Sequence, residues 1–118
     1  MDYNFGMITV AETASYLRDA ESQLPAADRF AIVEFLAQRQ KAGVLIAGAG
    51  GIRKLRRAKP GRGKLGGVRV VYYFHSDEMP LYLLALFAKN ERANLSPSER
   101  NDLAKLADVL VQKWFERS

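Results

Sequence analysis

The chain predicts a single α+β domain, a small twisted and mainly antiparallel sheet of three to five strands, with an N-terminal helical hairpin on one face and a C-terminal helix. Three features carry this prediction. Residues Ile52 to Ala58 and Val68 to Phe74 read as two strands joined by the glycine-rich loop KPGRGKLGG. The run Pro80 to Ala88, PLYLLALFA, is apolar on both faces, as expected of a central strand covered by helices. Segments with helical spacing and helix-start signals flank this β region on both sides.

Asn4 to Val10 suits a short strand. Thr9 and Glu12 have the spacing of a capping box, which predicts a first helix from Val10 to about Ala20. A second helix is marked by Pro25 at its first position, by Ala26, Phe30, Val33 and Ala37 at helical spacing, and by Gly43 as its C-cap. Ser22 to Leu24 would be the turn of this hairpin. VLIA after Gly43 is too short to classify. Lys89 and Asn90 end the third strand, and Asp77-Glu78 lie in the turn before it. Ser96, Pro97 and Glu99 then supply an N-cap, a first-position proline and a capping-box glutamate. Leu103, Leu106, Ala107, Leu110 and Trp114 follow as the apolar stripe of an amphipathic helix. Residues 1–118 form one domain without internal repeats or a linker.

Composition excludes several kinds of chemistry. The chain has no cysteine, so disulfides, thiolate nucleophiles and Cys-ligated zinc are out. With His75 as the single histidine, neither a His-based metal site nor a His-paired catalytic dyad can form, and no metal or cofactor is expected. Apolar runs stop near ten residues, at Met79 to Ala88, short of a membrane span, and the N-terminus lacks the order of a signal peptide. A cytoplasmic protein with no membrane partner is the expectation.

Charge is distributed unevenly. The formal net charge is +5, yet Phe35 to Ser76 holds ten of the 18 Lys and Arg residues and none of the 13 Asp and Glu. A local field of one sign attracts polyanions, and nucleic-acid phosphate is the leading candidate. Gly61, Gly63 and Gly66 match G-x-G-x-x-G, but a strand follows where a dinucleotide site needs a helix. Gly63-Lys64 is no P-loop, because Ala58 replaces the first glycine and Leu65 the magnesium-binding hydroxyl.

Strand alternation sends Lys54 and Arg56 to one face and Leu55 to the other. With Arg69 on the next strand and Lys89 at the end of the third, four cations can gather on one patch, which a bound phosphate would neutralise. The same alternation places Tyr73 with Arg69, in position to stack on a base, and puts Tyr72 in the core. It also sends Arg53 and Arg57 to the Leu55 side. Together with the loop cations Lys59, Arg62 and Lys64 and with Arg92, the residues Arg53, Arg57 and Tyr73 make up the candidate RNA-binding set.

The run GGIRKLRRAKPGRGKLGGVRVVYYF, followed by PLYLLALFAKNERANLSPSER, closely resembles the RelE-type toxins of bacterial type II toxin–antitoxin systems, in particular their HigB-like branch. The resemblance covers about residues 8 to 110 and is strongest at the G-x-R-V-x-Y-Y strand and the A-K-N-E-R segment. It implies a RelE-like fold and a ribosome-dependent endoribonuclease that cleaves messenger RNA and thereby inhibits translation. The implied partners are the ribosome, the message and a cognate antitoxin. Antitoxins of the HigB branch carry a helix-turn-helix domain, so operator DNA would be reached only through that partner. Lys54, Arg56, Arg69 and Lys89 match the family's functional basic positions and are the candidate catalytic residues. Relatives also use a tyrosine near the C-terminus. This chain has none after Tyr82, which leaves that role to Tyr73 or Phe87.

Such catalysis needs no histidine or carboxylate. RNA is cut by its own 2′-hydroxyl when that group is deprotonated, the phosphorane is stabilised and the leaving 5′-oxygen is protonated. A neighbouring like charge disfavours an ammonium, which points to Lys54 or Lys89 as the base, and Arg56 and Arg69 suit bidentate binding of the scissile phosphate. Two alternatives stand beside this reading: a ParE-like inhibitor of DNA gyrase with no enzymatic activity, and a nucleic-acid-binding module without catalysis.

Overall fold

The computed structural model describes residues 2–4, 8–58, 67–91 and 94–117. Its elements in chain order are β1 (Asp2–Asn4), β2 (Thr9–Glu12), α1 (Ala14–Gln23), α2 (Ala26–Gln38), β3 (Val44–Leu45), β4 (Ile52–Arg57), β5 (Val68–Tyr73), β6 (Leu81–Ala88) and α3 (Pro97–Glu116). The strands form one sheet in the order β1-β2-β6-β5-β4-β3. Every pairing is antiparallel except that of β2 with β6. This is the expected α+β arrangement, with short strands added at both edges.

Helices cover both faces of the sheet. Leu55, Val68, Val70, Tyr72, Leu81 and Leu83 pack against α1 and α2, through Tyr16, Ala20, Ile32, Val33 and Leu36. On the opposite face Ile52, Val71, Tyr73, Leu84 and Phe87 pack beneath α3 around Ala107. Residues Val68 to Tyr73 are consequently buried on both sides along the whole of β5. The register of β5 on β6 shifts between Val71 and Tyr72, which puts Leu84 and Ala85 together on the α3 face.

The first helix starts later than its sequence suggests. T-x-x-E spacing is compatible with a strand as well as a cap, and Val10, Ala11 and Glu12 instead pair in parallel with Leu81, Tyr82 and Leu83. The cap is Thr13, whose Oγ1 accepts the Tyr16 N–H at 3.2 Å and donates to the Leu83 carbonyl at 2.8 Å. Pro25 is the N-cap of α2 rather than its first residue, and the buried stripe is Ile32, Val33, Leu36 and Ala37, with Phe30 exposed.

Gly43 does not cap α2, which ends at Gln38 with Arg39 as its C-cap. Its N–H donates to the Tyr72 hydroxyl at 2.8 Å, and that hydroxyl donates in turn to the Gln40 carbonyl at 2.7 Å. A Cβ at position 43 would lie 2.7 Å from the Tyr72 ring, so glycine is required for this close approach. α3 begins as expected. Ser96 Oγ accepts the Glu99 N–H at 3.1 Å, and the Ser96 N–H donates to Glu99 Oε1 at 2.9 Å. Trp114 Nε1 donates to the Glu78 carbonyl at 2.8 Å and fastens the far end of α3 to the β5–β6 turn.

Candidate nucleic-acid interface

The cations of β4 and β5 meet because two antiparallel strands alternate in phase. Lys54 lies opposite Val71 and Arg56 directly opposite Arg69, so all three cationic side chains leave on the α3 face. α3 covers the Tyr73 end of that face and leaves the Arg69 end open. The result is a cleft of about 500 Å³, lined by Lys54, Arg56 and Arg69 together with Ala42, Val44 and Asn94. This volume is in the range of a small-ligand site.

Arg69 lies deepest in the cleft. It is only 7% exposed, and its single side-chain hydrogen bond among the described residues runs from Nη1 to its neighbour's carbonyl, Val68 O, at 3.4 Å. Burial, and after it the charge of Arg56, hold the guanidinium below its ordinary value. It nevertheless stays charged at neutral pH, as arginine does in proteins. A buried cation facing a second cation, without a carboxylate partner among the described residues, is an unfavourable arrangement that an anion would relieve. Lys54 is half-buried, and its Nζ donates to Asn94 Oδ1 at 3.3 Å, which ties β4 to the segment leading into α3.

Other candidates lie elsewhere. Lys89 is exposed in the turn after β6, where its N–H donates to the Gly67 carbonyl at 2.9 Å, and it does not line the cleft. Arg53 and Arg57 are on the opposite face, at its rim. Arg53 Nη1 donates to the carbonyls of Gly43 at 2.7 Å and Lys41 at 3.3 Å, and the Arg57 guanidinium lies 5.0 Å from the centre of the Phe35 ring. Both escape the core by binding its edge, which takes them away from Lys54 and Arg69. Lys59, Arg62, Lys64 and Arg92 lie outside the described residues.

The stacking role expected of Tyr73 is corrected by its burial. Alternation places it on the Arg69 face, but the ring is 7% exposed beneath α3 and offers no face to a base. Its hydroxyl is 3.3 Å from His75 Nδ1, and burial, then the charge of Asp108, push its pKa up. Phe87, the other candidate for that role, is 6% exposed in the same cluster.

Asn94 and Arg100 are the residues that sequence reasoning missed. Both line cleft surface, yet neither stands out in a one-dimensional pattern: Asn94 precedes a helix cap, and Arg100 is one more charge on an amphipathic helix. Among the described residues no cluster of His, Cys, Asp and Glu could hold a metal ion, and no helix is long and apolar enough to cross a membrane.

Residues 31–117 match a family model described as "RelE toxin of RelE / RelB toxin-antitoxin system". The match spans well over half of the chain, from α2 through α3, and contains every strand that contributes a cation to the cleft. Together with three helices on a mixed open sheet, this makes the chain a member of the RelE toxin family, the toxin of a toxin–antitoxin pair whose partner is a cognate antitoxin.

Proposed function

We propose that the protein is a ribosome-dependent messenger RNA endoribonuclease of the HigB-like branch, acting in the cytoplasm and restrained by a helix-turn-helix antitoxin. The observation that carries this reading is the convergence of Lys54, Arg56 and Arg69 on one cleft, with Arg69 buried and lacking a carboxylate among the described residues. Such a site suits a phosphodiester.

Arg56 and Arg69 grip the scissile phosphate and stabilise the charge that grows on it in the phosphorane. Lys54 serves as the base for the 2′-hydroxyl, whose oxygen attacks phosphorus as the bond to the 5′-oxygen breaks. Arg69, which keeps its charge, offsets the negative charge left on the departing 5′-oxygen, and that oxygen takes its proton from water. The products are a 2′,3′-cyclic phosphate and a free 5′-hydroxyl. The ribosome aligns the message for in-line attack, which the open cleft does not do alone.

Mapping RNA ends in translating ribosomes tests this reading. Cuts in message that disappear with Lys54→Ala and Arg69→Ala are expected. DNA breaks with intact message would instead establish a ParE-like gyrase inhibitor, and a chain harmless when expressed without its antitoxin would exclude both.

A further inference from the structure

The cationic cleft continues past Lys54. A second depression of about 240 Å³ shares Val44, Lys54 and Asn94 with the first and ends at Arg100, in the first turns of α3. Its outer wall is Leu45, Ile46 and Ala47. Val44 and Leu45 are 72% and 56% exposed, unusual for aliphatic side chains on a two-residue edge strand. Arg100 donates from Nη1 to the Leu95 carbonyl at 3.3 Å, its one side-chain hydrogen bond among the described residues. The trough therefore has cations from three elements along its length and an aliphatic flank on one side.

We infer that Arg100 and the Val44–Leu45 wall form a second nucleotide subsite, in which Arg100 binds the RNA phosphate next to the scissile one and the aliphatic wall packs against its base. Asn94 joins the two subsites, since its Oδ1 holds Lys54 Nζ where the depressions meet. The wall takes over base contact from the buried Tyr73, and aliphatic packing is tolerant of base identity. The inference rests on the RNA-cleaving reading above. Arg100 is a substrate-binding residue here and takes no part in proton transfer.

Two measurements test the subsite. Binding of an uncleavable 2′-O-methyl RNA nonamer is followed by fluorescence anisotropy across a salt series, and KM and kcat are measured for message cleavage in programmed ribosomes. Arg100→Gln keeps a donor for the Leu95 carbonyl but removes the charge. It is expected to bind about tenfold more weakly, to flatten the plot of log affinity against log salt by about 0.7, and to raise KM with kcat held. Arg100→Lys should restore the salt slope. Wild-type slope and KM in Arg100→Gln, with an unchanged melting temperature, would overturn the subsite while leaving the nuclease intact. A wild-type protein that never cuts message, yet loses salt slope in Arg100→Gln, would refute the nuclease and retain the RNA site.

Discussion

Arg56 and Arg69 stand directly opposite one another on adjacent antiparallel strands, so that two guanidiniums share one rung of the β4–β5 ladder. Like charges in that position are destabilising. Burial of Arg69 beside an exposed Arg56 adds desolvation to the repulsion. The sheet tolerates the pair because Val68, Val70 and Tyr72 on the other face of β5 anchor the strand in the main core.

Arg56→Ala should separate stability from activity. Removing the exposed member of the pair is expected to leave the urea midpoint unchanged or slightly raised, while message cleavage falls by about 10²–10³-fold. A variant that loses cleavage only in proportion to a lower midpoint would show that Arg56 serves the fold and not the phosphate.

Tyr72→Phe removes the hydroxyl that accepts from Gly43 and donates to Gln40, leaving both backbone groups short of a partner in the interior. The expected loss is about 1–3 kcal/mol in urea unfolding. Because this hydroxyl holds the link from α2 to β3, the amide of Gly43 should also exchange faster with solvent. Unchanged exchange at that amide would mean the link is held by other contacts.

High pH should weaken the fold through the buried tyrosines. Burial raises the pKa of Tyr72, against the smaller opposing effects of the Gly43 hydrogen bond and Arg53, and burial followed by Asp108 raises that of Tyr73. Since the folded values lie above the unfolded value of about 10, the neutral phenols stabilise fully below that pH, and the contribution is lost as pH rises through the folded values. Urea midpoints measured between pH 8 and pH 11 should fall, and fall less steeply in Tyr72→Phe. Parallel slopes in the two proteins would assign the pH dependence to other groups.

Gly50→Ala should cost more than Gly48→Ala. Both residues have positive φ, +63° and +76°, so alanine strains the backbone at either by about 1–2 kcal/mol. At position 48 the new Cβ meets nothing within 4 Å, whereas at position 50 it comes 3.1 Å from the Ala104 backbone in α3. Displacing α3 also disturbs the Arg100 end of the trough, so Gly50→Ala should weaken binding of the RNA nonamer. Equal losses of stability in the two variants would show that the turn does not bear on α3.

Residues close in sequence carried most of the architecture. The double-sided apolar run of β6, the alternation of β4 and β5, and the Ser96-Pro97-Glu99 start of α3 are local patterns that the fold keeps. Alternation alone put Lys54 and Arg56 on one face of β4 and Arg53 and Arg57 on the other, because side-chain direction in a strand depends on parity and on nothing distant, whereas the register of β4 on β5 brought Arg69 to the side of Lys54 and Arg56. Tertiary packing decided the remainder. Parallel pairing with β6 turned Thr9 to Glu12 from a helix start into a strand, and a 29-residue separation had to close before Gly43 met Tyr72. The position of α3 across the sheet buried Tyr73, kept Arg69 at the bottom of an open cleft and brought Asn94 and Arg100 to its edge. A one-dimensional pattern specifies which face a side chain takes, but whether that face is covered depends on where a distant helix finds its apolar partners.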